Sequence, residues 1–245
     1  GGVAAAALGA TIAALALAGG GARGAASSTV EVHPAGPVAR LVRVAGAGKE
    51  MIEDSARDHD CNLYLGGHFS PGARLGGVPL VRPPGGTIAG FVAKLGGDGR
   101  MRWQRAYASG PQAVVVMVVA DDTGRVFVAG RATQGVLDLG DAARPVSAGG
   151  TGFLLALSAA DGSFLWGRRM DAGGRSVKAG GVGPDGNLYV IGEYAGTLSL
   201  GDGHDHQSEG PSPFVASYDR DGAVRRVVAG AGATATGMRA LAFHD

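Results

Sequence analysis

Short runs of alternating residues, most closed by a glycine or an Asp-Gly pair, occupy much of this chain. Phe153, Leu155 and Leu157 alternate with Leu154 and Ala156, the period of two that predicts a β-strand. Phe214, Ala216 and Tyr218 alternate with Val215 and Ser217 in the same way. In both runs the two faces are apolar or small, and a strand of that kind needs cover on both sides. Around the first run the pattern predicts four strands, 113–120, 125–131, 152–158 and 163–169, with no helix signal among them. A lone four-stranded sheet cannot cover both of its own faces. Face-to-face packing between successive sheets can.

The same elements recur at a near-constant interval. GFVAKLGGDGRMRWQR from Gly90, GFLLALSAADGSFLWGRR from Gly152 and PFVASYDRDGAVRRVV from Pro213 match one another, with Phe91, Phe153 and Phe214 in one column. NLYLGG from Asn62, RVFVAGR from Arg125 and NLYVIGE from Asn187 form a second set, and Tyr64, Phe127 and Tyr189 repeat the spacing of that column to within two positions. Counted from the column of Trp103 and Trp166, the units are 42–102, 103–165 and 166–225, followed by a partial unit, 226–245. RVAGAG from Arg43 also echoes VVAGAG from Val227. Four strands per unit predict an all-β protein, a β-propeller of four-stranded antiparallel blades with about three complete blades and part of another. A β-solenoid is the other stacked-repeat architecture, but its repeats are much shorter. Propellers have about 4–8 blades, so this pattern predicts an incomplete ring or a fragment of one.

Turn residues mark the strand ends. Asp98-Gly99, Asp161-Gly162 and Asp221-Gly222 fall between the third and fourth strands, where the pair suits a type I′ hairpin with positive φ at both central residues. Thr123-Gly124 and Asp185-Gly186 lie between the first and second strands, but the first unit has Asp60-Cys61 there. That turn is either longer or holds a non-glycine residue in a costly conformation. The connection from second to third strand is long, and its GVLDLG from Gly135 and GTLSLG from Gly196 predict a small local pairing.

Residues 1–26 read differently. Val3 to Ala18 is an uninterrupted apolar run, shorter than the roughly 20 positions of a membrane span and close to the core of a signal peptide. Small residues at Ala22, Gly24 and Ala26 suit cleavage, so an export leader is expected, with a buried Ala-rich helix as the alternative. The leader is read as entered part-way, since no initiator Met or basic segment precedes the run, and no Cys follows it for lipid attachment. Residues 27–41 are expected to be a linker and first strand region, and 42–245 the propeller.

Composition narrows the classes. The chain has 46 glycines and 11 prolines in 245 residues, yet 45% hydrophobic residues, enough for a packed core. Its 22 basic and 21 acidic residues leave a charge of +1, which argues against a nucleic-acid surface or a polybasic membrane patch. One cysteine, Cys61, excludes an internal disulfide framework and a cysteine-cluster metal site.

The columns also carry a resemblance. Phe91, Asp98, Gly99 and Trp103, then Asp121, Gly124, Phe127 and Gly130, recur as Phe153, Asp161, Gly162, Trp166, Gly186, Tyr189 and Gly192. This pattern resembles the SBBP-type β-propeller repeat of exported bacterial proteins, over about residues 42–245. It departs at Val42 and Arg226, which stand in the Trp column. The resemblance implies a secreted or surface-exposed propeller and implies no reaction. LALSAADGSFLW from Leu155 is also similar to the repeat of quinoprotein-type propellers, whose enzymes bind a quinone and Ca²⁺. A single cysteine excludes the adjacent-cysteine disulfide of that class, and no convergent ligand set is visible. NLYLGG is kelch-like, but kelch spacing is nearer 50.

Several residues carry candidate chemistry. Asp58, Asp60 and Asn62 open like a calcium loop, but Leu63 and Phe69 stand where Gly and Glu belong, so a polar turn is the plainer reading. Asp202, His204, Asp205 and His206 combine imidazole and carboxylate suited to Zn²⁺ or Ni²⁺, without counterparts in the other units; a solvated hairpin tip is the alternative. Trp103 and Trp166 are expected to pack between blades rather than stack on a ligand. Arg168, Arg169, Arg225 and Arg226 lie in outer strands and are expected to blunt edge pairing. GAGKE from Gly46 fails as a phosphate loop because Glu50 stands where Ser or Thr is needed. His59 near Cys61 is thin ground for a nucleophile.

The expected function is that of a non-catalytic, exported propeller without a cofactor, a surface or periplasmic binding scaffold. Its partner, a protein or a glycan, would meet the loops 66–90, 131–152 and 193–213; no nucleic acid and no membrane span after leader removal are expected. The competing readings are an enzyme of quinoprotein or lyase type, with its site in further blades, and a structural surface spacer.

Overall fold

The computed structural model describes residues 27–32, 40–84, 86–108, 110–134, 136–138, 143–145, 150–172, 177–201, 203–230 and 241. The leader 1–26 lies outside these residues, as does most of the partial unit 226–245. Among them the regular elements are all strands. β1 (Ser27–Val32) and β2 (Arg40–Ala45) are followed by β3 (Met51–Arg57) and β4 (Leu63–Phe69). The short β5 (Arg74–Leu75) and β6 (Val78–Pro79) precede β7 (Ala89–Leu95) and β8 (Met101–Tyr107). Next come β9 (Ala113–Ala120), β10 (Arg125–Ala132), β11 (Val136–Asp138), β12 (Ala143–Pro145), β13 (Thr151–Ser158) and β14 (Phe164–Met170). β15 (Val177–Val182), β16 (Leu188–Ser199), β17 (Asp205–Tyr218) and β18 (Val224–Ala229) complete the set.

Three antiparallel sheets follow the repeat. Blade one is β3-β4-β7-β8, blade two β9-β10-β13-β14 and blade three β15-β16-β17-β18, each in chain order. The four strands read from the alternating pattern in the second unit end within a residue of those observed. First strands of successive blades lie side by side, β3 against β9 and β9 against β15. The sheets therefore fan from a common hub as propeller blades do, and among the described residues they do not close into a ring. A fourth sheet, β1-β2-β5-β6, packs on blade one and borrows its outer two strands from that blade's long connection. Residues 226–229 belong to β18, the last strand of blade three. The part-sheet of the described fold thus lies at the N-terminal end.

Alternate side chains of one strand enter different cores. Phe153, Leu155 and Leu157 pack with Tyr64, Val92 and Trp103 of blade one. Leu154 and Ala156, from the same strand, pack with Leu188, Val190 and Phe214 of blade three. Burial of each large apolar side chain is worth about 1.5–3 kcal/mol, so a middle blade is held from both sides.

A second contact fixes how each blade meets the next. Trp103 donates its indole N–H to the Ala159 carbonyl at 3.2 Å and covers Gly162, where any Cβ would meet the ring. Arg105 Nε donates to the Gly162 carbonyl at 2.8 Å and Nη2 to the Asp161 carbonyl at 3.0 Å. One blade on, Trp166 donates to the Arg220 carbonyl at 2.9 Å and covers Gly222, while Arg168 Nε donates to the Gly222 carbonyl at 2.8 Å. The tryptophans pack between blades, as expected. Arg168 does more than blunt an edge: it latches two blades together. In blade three the same columns hold Arg226 and Val228, and Val228 is 52% exposed.

The hub has its own repeating device. Each first strand carries a bulge that leaves Glu53, Val116 and Lys178 without a cross-strand partner. Beside the bulges lie Gly67, Gly130 and Gly192. A Cβ on Gly67 would overlap the Met51 carbonyl oxygen, and one on Gly130 the Val114 carbonyl oxygen. In blades one and two the glycine closing the apolar-aromatic stretch is thus required by the bulge opposite it. Next to the first bulge, the Asp54 carboxylate accepts the Val118 N–H at 2.8 Å and joins β3 to β9 across blades.

The turns differ from the I′ expectation. Gly99, Gly162 and Gly222 have φ of 74°, 71° and 79°, but the preceding aspartates do not take positive φ. Gly96 N–H bonds to Arg100 O and Gly99 N–H to Gly96 O, the geometry of a longer loop ending in a left-handed glycine. In the first unit Cys61 takes φ 61°, the sole non-glycine residue among those described to do so. It occupies the place of Gly124 and Gly186 and bears the strain that the sequence left as one of two options.

Two outcomes follow for stability. Cys61→Gly relieves that strain and is expected to raise unfolding free energy by about 1 kcal/mol, read by urea denaturation. Gly67→Ala forces the bulge apart and is expected to cost about 1–3 kcal/mol, whereas Gly97→Ala, with its nearest neighbour 3.8 Å away, should stay within about 0.5 kcal/mol.

Candidate functional site

In an antiparallel blade the 1–2 and 3–4 turns share one face, and the 2–3 connections share the other with the crossings to the next blade. The turn face is held together by aspartates. Asp58 accepts the Asn62 backbone and amide N–H groups, both at 2.9 Å, and the Tyr64 hydroxyl at 2.9 Å. Asp121 accepts the N–H groups of Thr123 and Arg125 and the Thr123 hydroxyl. Asp185 does the same from two positions further along, through Asn187 and the Tyr189 hydroxyl at 2.8 Å. Asp219 binds the N–H groups of Asp221 and Ala223 and the Arg225 guanidinium at 2.7 Å.

These bonds set the carboxylates' acidity. The Tyr189 hydroxyl, then Asn187, hold Asp185 below the ordinary carboxylate range. Backbone N–H groups do so for Asp161 at Ser163 and for Asp219 at Ala223. At Asp58 burial pushes upward, but Asn62, Tyr64 and nearby Lys94 outweigh it and the net shift is down. Asp54 moves the other way, because burial outweighs its bonds from Val118 and Ser55.

Between the turns of blades two and three lies a cleft of about 680 Å³, within the range of small-ligand sites. Its walls carry Asp121, Asp185 and Asp219, all engaged in their own turns, together with Arg125, Arg225 and exposed Asp122. Such walls hold polar groups already committed to the fold.

The opposite face varies from blade to blade. The excursion of blade one, β5–β6, joins the N-terminal sheet. That of blade two forms a separate hairpin, β11–β12, which confirms the local pairing read at GVLDLG. In blade three the strands run on into the excursion, with Thr197 opposite Gln207 and Ser199 opposite Asp205. Towards the hub on this face the bulges and neighbouring second-strand residues place different charges at matching positions. Glu53 stands 3.2 Å from His68 without hydrogen-bond alignment; Arg131 is exposed beside Val116; Lys178 stands 3.9 Å from Glu193.

The candidates from sequence separate in space. Asp58 is occupied by its own turn, while Asp60 is exposed and 3.2 Å from His59. Asp205 and His206 are successive strand residues and so point to opposite faces; His204 precedes them, and Asp202 lies outside the described residues. Among the described residues no three His, Cys, Asp or Glu side chains converge to hold a metal, and no helix is long and apolar enough to cross a membrane. Arg105 and the hub pairs went unread in the sequence, and Arg168 was read there only as an edge-blunting residue. Their signal was there, in columns that recur at the repeat interval, but the hub columns change residue type at each repeat. No family model matches this chain, and no curated protein matches it.

The depressed aspartates stabilise the fold above about pH 4, the unfolded carboxylate value, and lose that contribution as pH falls through their folded values. Unfolding free energy is expected to stay flat near neutrality and to drop below about pH 4. Asp58→Asn should make that acid limb shallower, as read by urea denaturation at pH 7 and pH 3.

Proposed function

We propose that this chain is a non-catalytic, exported β-propeller that acts as a surface or periplasmic binding scaffold for a protein or a glycan. One observation carries the reading. The Trp-Arg latch joins both pairs of successive blades and the hub bulge recurs in all three, while the 2–3 excursions on one face differ in length, pairing and charge. A rigid frame with variable connections on one face is how such folds hold binding sites. The leader pattern of Val3 to Ala18 and the resemblance to SBBP-type repeats support export. Contact with the partner falls on the excursions of blades two and three, beside the hub charges.

The test uses the full chain on arrays of cell-surface glycans and peptides. Saturable binding is expected, lost when the exposed Thr197, Asp205, Gln207 and Glu209 are all exchanged for alanine, with the thermal midpoint retained because Leu198 and Leu200 of the same connection stay in the core. Binding unaffected by that exchange overturns the placement. Dye reduction that depends on added quinone and Ca²⁺ overturns the non-catalytic reading.

A further inference from the structure

At the hub, blade one differs from its neighbours in the chemistry of one pair of side chains. The bulge residue and the residue after the second-strand glycine are Glu53 and His68 there, Val116 and Arg131 in blade two, and Lys178 and Glu193 in blade three. Only the first pair joins two groups that ligate metals, a carboxylate and an imidazole. His68 is fixed by its surroundings. Met51 and Gly90 stand opposite it on β3 and β7, and a Cβ on Gly90 would come within 3.1 Å of the Val115 backbone nitrogen of blade two. The residue is 9% exposed, and its Nδ1 is closed to solvent and makes no hydrogen bond. Glu53 is skipped by the ladder at the bulge, and its side chain stays 31% exposed.

The contact between these two side chains has the geometry of shared coordination. Nδ1 and Oε1 are 3.2 Å apart, off the line that an N–H donor needs. Two ligands each about 2.0–2.2 Å from one ion, and about 90–109° apart around it, lie about 3.0–3.4 Å from each other. A proton on Nδ1 would point past the carboxylate oxygen. An unprotonated Nδ1 would turn its lone pair towards a negative charge, which is repulsive. Neither form of the imidazole satisfies both atoms by itself, and a buried polar atom left in that state is costly. A cation shared by the two satisfies both. Asp54, next along β3, is already committed, because its carboxylate accepts the N–H groups of Val118 and Ser55 at 2.8 Å each.

We propose that Glu53 and His68 form a divalent metal site at the hub, with a carboxylate oxygen and Nδ1 as ligands to a borderline ion such as Zn²⁺. A nitrogen ligand beside an oxygen ligand suits Zn²⁺, whereas Ca²⁺ and Mg²⁺ take oxygen alone. Two protein ligands leave the remaining positions to oxygen donors, either water or a carboxylate of a molecule that enters the hub. The exposed side of Glu53 is where those donors approach. The ion therefore stands on the face that carries the excursions, but its binding needs no partner.

The test uses the full chain with Cys61→Ser, His204→Gln and His206→Gln as its background, which removes the thiol and the histidines of the exposed loop. Zn²⁺ alone is titrated into chain labelled at nitrogen and followed by calorimetry and by the imidazole nitrogen resonances. One ion per chain is expected, with the His68 Nδ1 resonance shifted and its Nε2 still protonated. His68→Gln should abolish uptake. Glu53→Gln, at a side chain that is partly exposed and outside the ladder, keeps the test open if His68→Gln does not fold. It should weaken binding by at least about tenfold, the loss that outer partners of a ligand already cause. No uptake of Zn²⁺, uptake unchanged in Glu53→Gln and His68→Gln, or coordination through Nε2 in place of Nδ1 overturns the inference.

Discussion

A sheet that is apolar on both faces cannot stand alone in water, and this constraint organises the whole molecule. β13 shows it most directly. Phe153, Leu155 and Leu157 enter one core and Leu154 and Ala156 another, so blade two is stable only between two other sheets. The same demand explains the N-terminal sheet. Leu63, Leu65 and Phe91 on the outer side of blade one are covered by Val42, Val44 and Leu75, and Leu75 comes from that blade's own connection.

Apolar contact is non-directional and does not decide how far one sheet is turned against the next. The latch does. A tryptophan lying flat over a glycine, with an arginine bonded to the same glycine's carbonyl, tolerates neither a side chain at the turn nor a slip of the sheets. At the hub the first strands lie side by side, and Asp54 spans two blades through the Val118 N–H. The outer end of each blade interface is thereby set by the tryptophan and arginine, and between blades one and two the hub end is held by the Asp54 carboxylate as well.

Stiffness of the frame leaves the excursions free to differ. Each begins and ends at the same place in its blade and sends leucines into the cores, Leu75, Leu137 and Leu198 among them, so it is the exposed positions between these anchors that vary in length and charge. The turn face has the opposite character. Its aspartates hold the turns shut, and Asp121, Asp185 and Asp219 in the wall of the cleft are already bonded within their own turns. Of the two faces, the one carrying β11–β12 and the extended strands of blade three is the one whose connections change from blade to blade.

The sequence by itself determined the strands, the period and the antiparallel four-strand unit, because alternation and turn residues are local properties that the backbone obeys wherever it lies. It also showed that Trp103 and Trp166 serve packing, since a fixed offset from an Asp-Gly turn implies a fixed neighbour. It did not show that Arg105 and Arg168 bond across blades, nor that Cys61 takes the left-handed conformation, nor that the Asp-Gly loops place glycine alone at positive φ. Charges at Glu53, His68, Arg131, Lys178 and Glu193 form columns only once the sheets are aligned, because their residue types change from unit to unit. The repeat already predicted a fan of propeller blades; only the tertiary structure decided which faces meet and that the part-sheet sits at the N-terminal end. Those outcomes depend on contacts between residues a whole repeat apart, which no local pattern of hydrophobic and polar residues can encode.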